Sequence, residues 1–259
     1  MSINEQRVVL TLDAGGTNMV FSALKNYEQI VTPLELLACT DCLDDCLSVI
    51  LTGFKAIMVE LEKINEKPVA VSFAFPGPAD YENGVIGDLP NFKAFRDGVA
   101  LGPYLENELK LPVFINNDGN LFAYGEALHG ALPMVNNWLL KAGCNRVYKN
   151  LIGLTFGTGF GCGVVINNVL LTGDNGCGGD IWNFRNKKYP DKIVEESVSI
   201  RAVKRVYGEL SGDDQTELTP KDIFDIAEGK AFGDQSAAIR SFEELGEMAG
   251  DALAHMLTV

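Results

Sequence analysis

Histidine and tryptophan are nearly absent from this chain, with two of each among 259 residues. With only His129 and His255 available, a metal centre built on imidazole has too few ligands. Basic residues are also scarce, 21 against 35 acidic ones, which leaves a net charge of −14 and an isoelectric point near 4.6. Such a surface repels nucleic-acid phosphates, so no nucleic acid is expected as a partner. No apolar run approaches the roughly 20 residues that span a bilayer, and no membrane partner is expected. Met1-Ser2-Ile3-Asn4-Glu5-Gln6-Arg7 holds no apolar core ahead of a cleavage site, which makes the cytoplasm the expected location.

Against these shortages stand 47% hydrophobic and 22% charged residues, enough in a chain of this length for two compact lobes with a core each. Six cysteines, at 39, 42, 46, 144, 162 and 177, read as free thiols in a chain without an export signal. Cys39-x-x-Cys42-x-x-x-Cys46 lies where helical periodicity begins. No matching Cys or His pair follows at zinc spacing, so helix packing is expected there rather than a metal.

Two glycine-rich segments lie far apart: Leu10-Thr11-Leu12-Asp13-Ala14-Gly15-Gly16-Thr17-Asn18 and Leu154-Thr155-Phe156-Gly157-Thr158-Gly159-Phe160-Gly161-Cys162-Gly163. Each follows an apolar strand-like run and carries a threonine among its glycines. Without Cβ atoms, successive N–H groups approach anionic oxygens closely, and the Thr hydroxyl adds a donor. Neither segment is a P-loop or a dinucleotide fingerprint, because β-type residues (Met19 to Leu24, Val164 to Ile166) follow the glycines where a helix would start. Each reads as a β-hairpin turn whose open end holds phosphate, the alternative being a tight turn with no ligand. Asp13 is placed to face a metal ion.

The spacing predicts strands at Arg7 to Asp13, Met19 to Lys25 and Gln29 to Leu37, a helix to about Asn65, and a strand from Val69 to Phe75. A hairpin around Asn83-Gly84, a helix near Val99 to Leu109, a strand Val113-Phe114-Ile115 and a helix from Gly119 to Leu128 follow. The second half repeats the theme with strands at Leu151 to Phe156, Gly161 to Ile166 and Val169 to Leu171, then helices from Val194 to Gly208, Lys221 to Glu228 and Gln235 onward. The expected fold is α/β with two lobes, residues 1–117 and 118–259, and a ligand cleft between them.

Asn117-Asp118 closes a buried strand and opens a helix, a position that projects a side chain at the carboxyl edge of a sheet. An Asp there suits a general base acting on a hydroxyl that attacks a γ-phosphate. It equally suits an N-cap, with Asp118 accepting from the N–H groups of Asn120 or Leu121. Asn91, in Leu89-Pro90-Asn91-Phe92, offers the donor and acceptor that sugar hydroxyls need, or is turn chemistry only. Gly176-Cys177-Gly178-Gly179-Asp180-Ile181-Trp182-Asn183 combines polar groups with an aromatic face, as carbohydrate sites do. Glu195 and Ser199 stand at i, i+4 and read as sharing one helix face, either in the site or solvated.

Together these motifs resemble the ROK family of sugar kinases, relatives of the actin-like, hexokinase-like ATPases with a ribonuclease H-like fold. The resemblance runs from Asp13-Ala14-Gly15-Gly16-Thr17-Asn18 through Pro76-Gly77-Pro78, Pro90-Asn91, Asn117-Asp118-Gly119-Asn120 with Gly125-Glu126, to Gly157-Thr158-Gly159-Phe160-Gly161-Cys162-Gly163. It implies that Asp118 is the catalytic base, that Asp13, Gly15, Gly16, Thr17, Asn18, Gly157, Thr158 and Gly159 bind ATP, and that Asp13 lies near Mg²⁺. It further implies that Gly77, Asn91, Asn117, Asp118, Asp180 and Glu195 bind the sugar, and it leaves a homodimer open.

Three departures from the family pattern stand out. The usual Gly-Glu-x-Gly-His appears as Gly179-Asp180-Ile181-Trp182-Asn183, and the Cys-rich zinc loop is replaced by Phe184-Arg185-Asn186-Lys187-Lys188-Tyr189-Pro190-Asp191. Zinc is therefore not expected. In the family, a helix like Leu245 to Asp251 leads into a further strand and a Gly-Gly turn at adenosine, and here the sequence stops at Val259. The expected activity is ATP-dependent phosphorylation of a hexose or N-acylated hexosamine, glucokinase-like. The alternative is a non-catalytic sugar sensor on the same scaffold, although the twelve residues before Asp13 leave no room for the helix-turn-helix of family repressors. A third possibility is another ATPase of the fold with an acyl or polyol acceptor.

Overall fold

The computed structural model describes residues 6–15, 17–87, 93–96, 98–212 and 217–257. It divides into two compact units, Met1–Leu121 and Phe122–Val259.

In the first unit, β1 (Val8–Ala14) and β2 (Asn18–Lys25) pair antiparallel across the first glycine turn, from Val8 opposite Lys25 to Ala14 opposite Met19. Val8, Leu10 and Leu12 alternate into the core, the period-2 pattern that makes this segment a strand. The predicted strand from Gln29 to Leu37 is instead two, β3 (Glu28–Gln29) and β4 (Leu34–Leu37). Pro33 lies just before β4, and without an N–H it cannot continue a ladder. Helix α1 (Leu43–Lys63) buries Cys46, Ile50, Gly53, Phe54, Ile57 and Leu61 at helical spacing, with Asp44 and Asp45 in its first turn and Lys63 in its last, as the helix dipole favours. Phe54 meets Phe21 edge-to-face at 5.3 Å, and a Cβ on Gly53 would lie 2.4 Å from the Phe21 ring, so a glycine is needed for the helix to approach the sheet this closely.

Strand β5 (Pro68–Ala74) then pairs parallel with β1 on its other side. A small hairpin follows, β6 (Ala79–Asp80) with β7 (Val85–Ile86), as predicted around Asn83-Gly84. Helix α2 (Leu101–Leu109) leads to β8 (Val113–Asn116), parallel to β5. The sheet runs β3-β2-β1-β5-β8 with β4 also on β2, and one continuous apolar cluster from Val8 to Ile115 packs against it. Helix α3 (Asp118–Leu128) follows.

The second unit contains α4 (Ala131–Lys141), a helix the sequence reading did not anticipate; Leu132 is buried, and Val135 and Leu139 are half-buried at helical spacing from it. Strands β9 (Leu151–Phe156), β10 (Phe160–Ile166) and β11 (Val169–Leu170) form an antiparallel sheet in the order β11-β10-β9. The predicted helix from Val194 to Gly208 is a short 3-10 turn, Val194–Glu196, followed by α5 (Ile200–Ser211). Helices α6 (Pro220–Ala227) and α7 (Gln235–Ala254) complete the unit. Thr219 and Asp222 form a reciprocal capping box at the start of α6. The core is divided into three clusters, around Phe160 and Val198, around Ile223 and Ala238, and around Ala123 and Val165. No helix among the described residues is long and apolar enough to cross a membrane.

Candidate functional site

In the first unit, parallel pairing sets Asp13 opposite Ala74 and Ala74 opposite Asn116. The carboxyl ends of β1, β5 and β8 therefore share one edge of the sheet, with Gly77 three residues past one end and Asn117-Asp118 directly past another. Strand spacing puts β1 and β8 roughly 10 Å apart, the span of a phosphate chain with its acceptor. Asp13 is exposed and has no hydrogen-bond partner among the described residues; such a hard carboxylate oxygen fits Mg²⁺. Gly15 donates its N–H to Asn18 O at 3.0 Å, and a Cβ there would come within 2.6 Å of the same oxygen, so the turn closes only on glycine. Asn18 gives its side-chain amide to Glu35 at 2.5 Å. Thr17 is exposed, and Gly16 and Asn91 lie outside the described residues.

The capping reading of Asp118 is corrected by the structure. Asn117 Oδ1 accepts from Gly119 N at 2.8 Å and Asn120 N at 3.3 Å, so Asn117 caps α3. Among the described residues, exposed Asp118 accepts only from Gly119 N, at 2.9 Å through Oδ1, which leaves Oδ2 open to them in the first turn of a helix, where the dipole favours an anion. Buried Asn120 donates to Asn116 Oδ1 at 3.3 Å, and its own Oδ1 has no partner among the described residues.

In the second unit, the turn between β9 and β10 is closed by Gly157 N to Gly159 O at 3.0 Å. Glu195 and Ser199 do not share a helix face: Glu195 sits in the 3-10 turn and Ser199 stands at the N-cap position of α5, without a side-chain capping bond. Glu195 reaches the glycine turn instead, its Oε2 accepting from Phe160 N at 3.0 Å. Arg201, absent from the sequence expectations, donates to Thr158 O at 2.8 Å and to Glu195 Oε1 at 3.1 Å. A cation in the first turn of a helix opposes the dipole, and that was the one local signal that could have flagged it.

The loop carrying Asp180 is tied to the same place, because Glu195 N donates to Trp182 O at 3.1 Å. Burial raises the Asp180 carboxyl above the usual carboxylate range, opposed by hydrogen bonds from the Trp182 and Cys177 side chains. Burial, with the Asp180 charge adding to it, pushes the neighbouring Cys162 thiol up to about 11.

Past Trp182, buried Asn186 is the centre of the following loop. Its Nδ2 donates to Ile193 O at 3.1 Å and Ser197 Oγ at 2.8 Å, while its Oδ1 accepts from Lys188 N at 3.0 Å and Tyr189 N at 2.8 Å. Cys46 is buried in α1, and burial first, then the other two thiols, pushes it to about 11. No group of three or more His, Cys, Asp or Glu side chains is gathered for a metal among the described residues.

Residues 9–259 match the sequence pattern of the ROK family. The chain belongs to the ROK family. A crystal structure of glucokinase from Parabacteroides distasonis is 63% identical, with a TM-score of 0.90 over 100% of this chain and 72% of that one. A ROK family glucokinase from Streptomyces griseus, in complex with glucose and AMPPNP, shares the fold at 21% identity and a TM-score of 0.66, over 97% of this chain and 79% of that one. With such ROK neighbours, the architecture is the actin-like ATPase fold.

Among curated relatives, a glucokinase of Thermotoga maritima is 34% identical over 48% of this chain and 34% of its own length. A xylose repressor of Bacillus spizizenii is 32% identical over 45% of this chain and 26% of its own. The matched stretches thus span about a third and a quarter of these relatives. ROK sugar kinases and ROK regulators both occur among the proteins it resembles.

Proposed function

We propose that this ROK protein is an ATP-dependent sugar kinase, glucokinase-like, that transfers the γ-phosphate to a hydroxyl of a hexose or N-acylated hexosamine. The observation that carries this reading is the carboxyl edge of the first sheet, where Asp13 and an Asp118 relieved of capping by Asn117 stand at the ends of parallel strands. Asp118 Oδ2 accepts the proton of the sugar hydroxyl as its oxygen forms the new bond to the γ-phosphorus and the bridging bond to ADP breaks. The turns formed by Gly15, Gly16 and Thr17, and by Gly157, Thr158 and Gly159, hold phosphate oxygens through backbone N–H groups other than those of Gly15 and Gly157, which close the turns themselves, with Asn18 beside them. Mg²⁺ near Asp13 supplies charge neutralisation on the phosphates. Gly77, Asn91, Asn117, Asp180 and Glu195 meet the sugar. The glucokinase relatives and the glucose–AMPPNP complex support the reading, and a reaction that consumes ATP is in keeping with a cytoplasmic location.

The test is ADP release against glucose, mannose, N-acetylglucosamine and N-acetylmannosamine. Wild-type protein should release ADP with at least one of them, and Asp118→Asn should lower turnover by about 10²- to 10⁴-fold, the usual worth of a general base. Unchanged turnover in the variant removes Asp118 from the reaction. The similarity to a xylose repressor favours a second reading, a sugar sensor, which calorimetry would reveal as sugar binding with neither nucleotide binding nor ADP release.

A further inference from the structure

Two side chains, Arg201 and Glu195, converge on the second glycine turn from outside it. Arg201 Nη1 donates to Thr158 O at 2.8 Å, Arg201 Nη2 donates to Glu195 Oε1 at 3.1 Å, and Glu195 Oε2 accepts from Phe160 N at 3.0 Å. The carbonyl before Gly159 and the N–H after it are thus held by one Arg–Glu pair, which closes a ring around that glycine. A Cβ on Gly159 would stand 2.6 Å from Glu195 Oε2, so the ring closes only over a glycine. Glu196 braces the guanidinium from behind, accepting from Nη2 at 2.6 Å and from Nε at 3.4 Å, and the hydrogen bond from Arg201, with its charge adding to it, holds the Glu196 carboxyl below its usual range.

A rigid planar fork aims donors on separate nitrogens at Thr158, Glu195 and Glu196, a fixed spread that the single nitrogen of a lysine does not reproduce. These contacts also offset the cost of a cation in the first turn of α5. Each oxygen of Glu195 still has a lone pair free for a hydroxyl. A hydroxyl that takes one draws on the same carboxylate that positions Thr158 and Phe160.

We propose that Arg201 is a positioning residue that links the sugar-binding carboxylate of Glu195 to the backbone of the Gly157–Gly159 phosphate turn, so that sugar and nucleotide binding depend on each other. This rests on the sugar-kinase reading above. Coupling of this kind changes affinity by about 5- to 150-fold, and it is reciprocal between the two ligands.

The experiment is calorimetric titration of the full chain with the best acceptor of the sugar panel, with and without saturating AMPPNP and Mg²⁺. In wild type, the nucleotide should tighten sugar binding by about 5-fold or more. In Arg201→Ala, that factor should fall to near one. Arg201→Lys should restore the melting temperature and leave the factor near one, a split that a purely structural role would not produce. An equal factor in wild type and a folded variant, or a factor of one in wild type, overturns the inference and leaves the kinase reading standing. A wild type that binds neither ligand overturns both.

Discussion

In the first unit, the glycine turn after β1 ends a strand paired on both sides, with β2 antiparallel and β5 parallel. In the second, the glycine turn after β9 ends a strand whose one partner among the described residues is β10. The apolar side chains differ in the same direction, one continuous cluster in the first unit and three in the second. Each turn closes on a backbone bond of its own, Gly15 N to Asn18 O and Gly157 N to Gly159 O, and the first is otherwise held by its sheet. The second recruits charged side chains from a later segment, Glu195 and Arg201. One local chemistry, glycines with a threonine, therefore has two kinds of support: paired strands in one unit and a side-chain clamp in the other.

The largest break in this comparison should come from the continuous core. Phe54→Ala removes a fully buried ring between Phe21 and Phe73 and should cost about 3–5 kcal/mol in urea denaturation. Ile181→Ala, in the divided core of the second unit, should fall at the lower end of the roughly 2–5 kcal/mol range for such truncations. Equal losses would mean that the divided clusters pack as one.

A smaller effect separates the two glycines of the clamped turn. Gly159→Ala displaces Glu195 from Phe160 N–H and should cost about 1 kcal/mol, the worth of one such hydrogen bond. Gly157→Ala meets nothing within 4 Å and should leave thermal stability within about 0.5 kcal/mol of wild type. If both melt alike, the clamp does not hold the turn.

The smallest effect is one of pH. Burial raises the Asp180 carboxyl, so the fold favours its protonated form. The penalty for its charge is absent below the ordinary carboxylate value, grows as pH rises through it, and is complete above the raised value. Asp180→Asn should therefore gain melting temperature relative to wild type as pH rises from 3 to 7. A difference that does not change with pH would place Asp180 in a more solvated position.

Legibility from sequence followed the range of the forces involved. The hairpins, α1 and the strand-to-helix step at Asn117-Asp118 were readable, because alternation, 3.6-residue periodicity and glycine placement act within a few residues. Local competition was harder: two adjacent polar residues can cap α3, and geometry gave the task to Asn117 and left Asp118 open. Pro33 divided a strand that its apolar neighbours implied was whole. Helix α4 was missed although Leu132, Val135 and Leu139 stand at helical spacing, because Pro133 and the Asn136-Asn137 pair, weak helix formers, lie among them. The clamp could not be read at all, because Thr158 and Arg201 lie 43 residues apart and meet only after folding.

Asn186 has a consequence for how its loop fails. Four bonds made by one neutral amide hold the inner side of a stretch crowded with Lys187, Lys188, Asp191 and Lys192, while Lys187 and Lys188 tie its outer side to Asp251 and Glu244 of α7. Slow spontaneous hydrolysis of that amide, to which asparagine is prone, would remove its donor bonds to Ile193 O and Ser197 Oγ and leave a buried carboxylate that still accepts from Lys188 N and Tyr189 N. The ageing of this protein in storage would then register first in the loop beside Glu195, while the sheets remained intact.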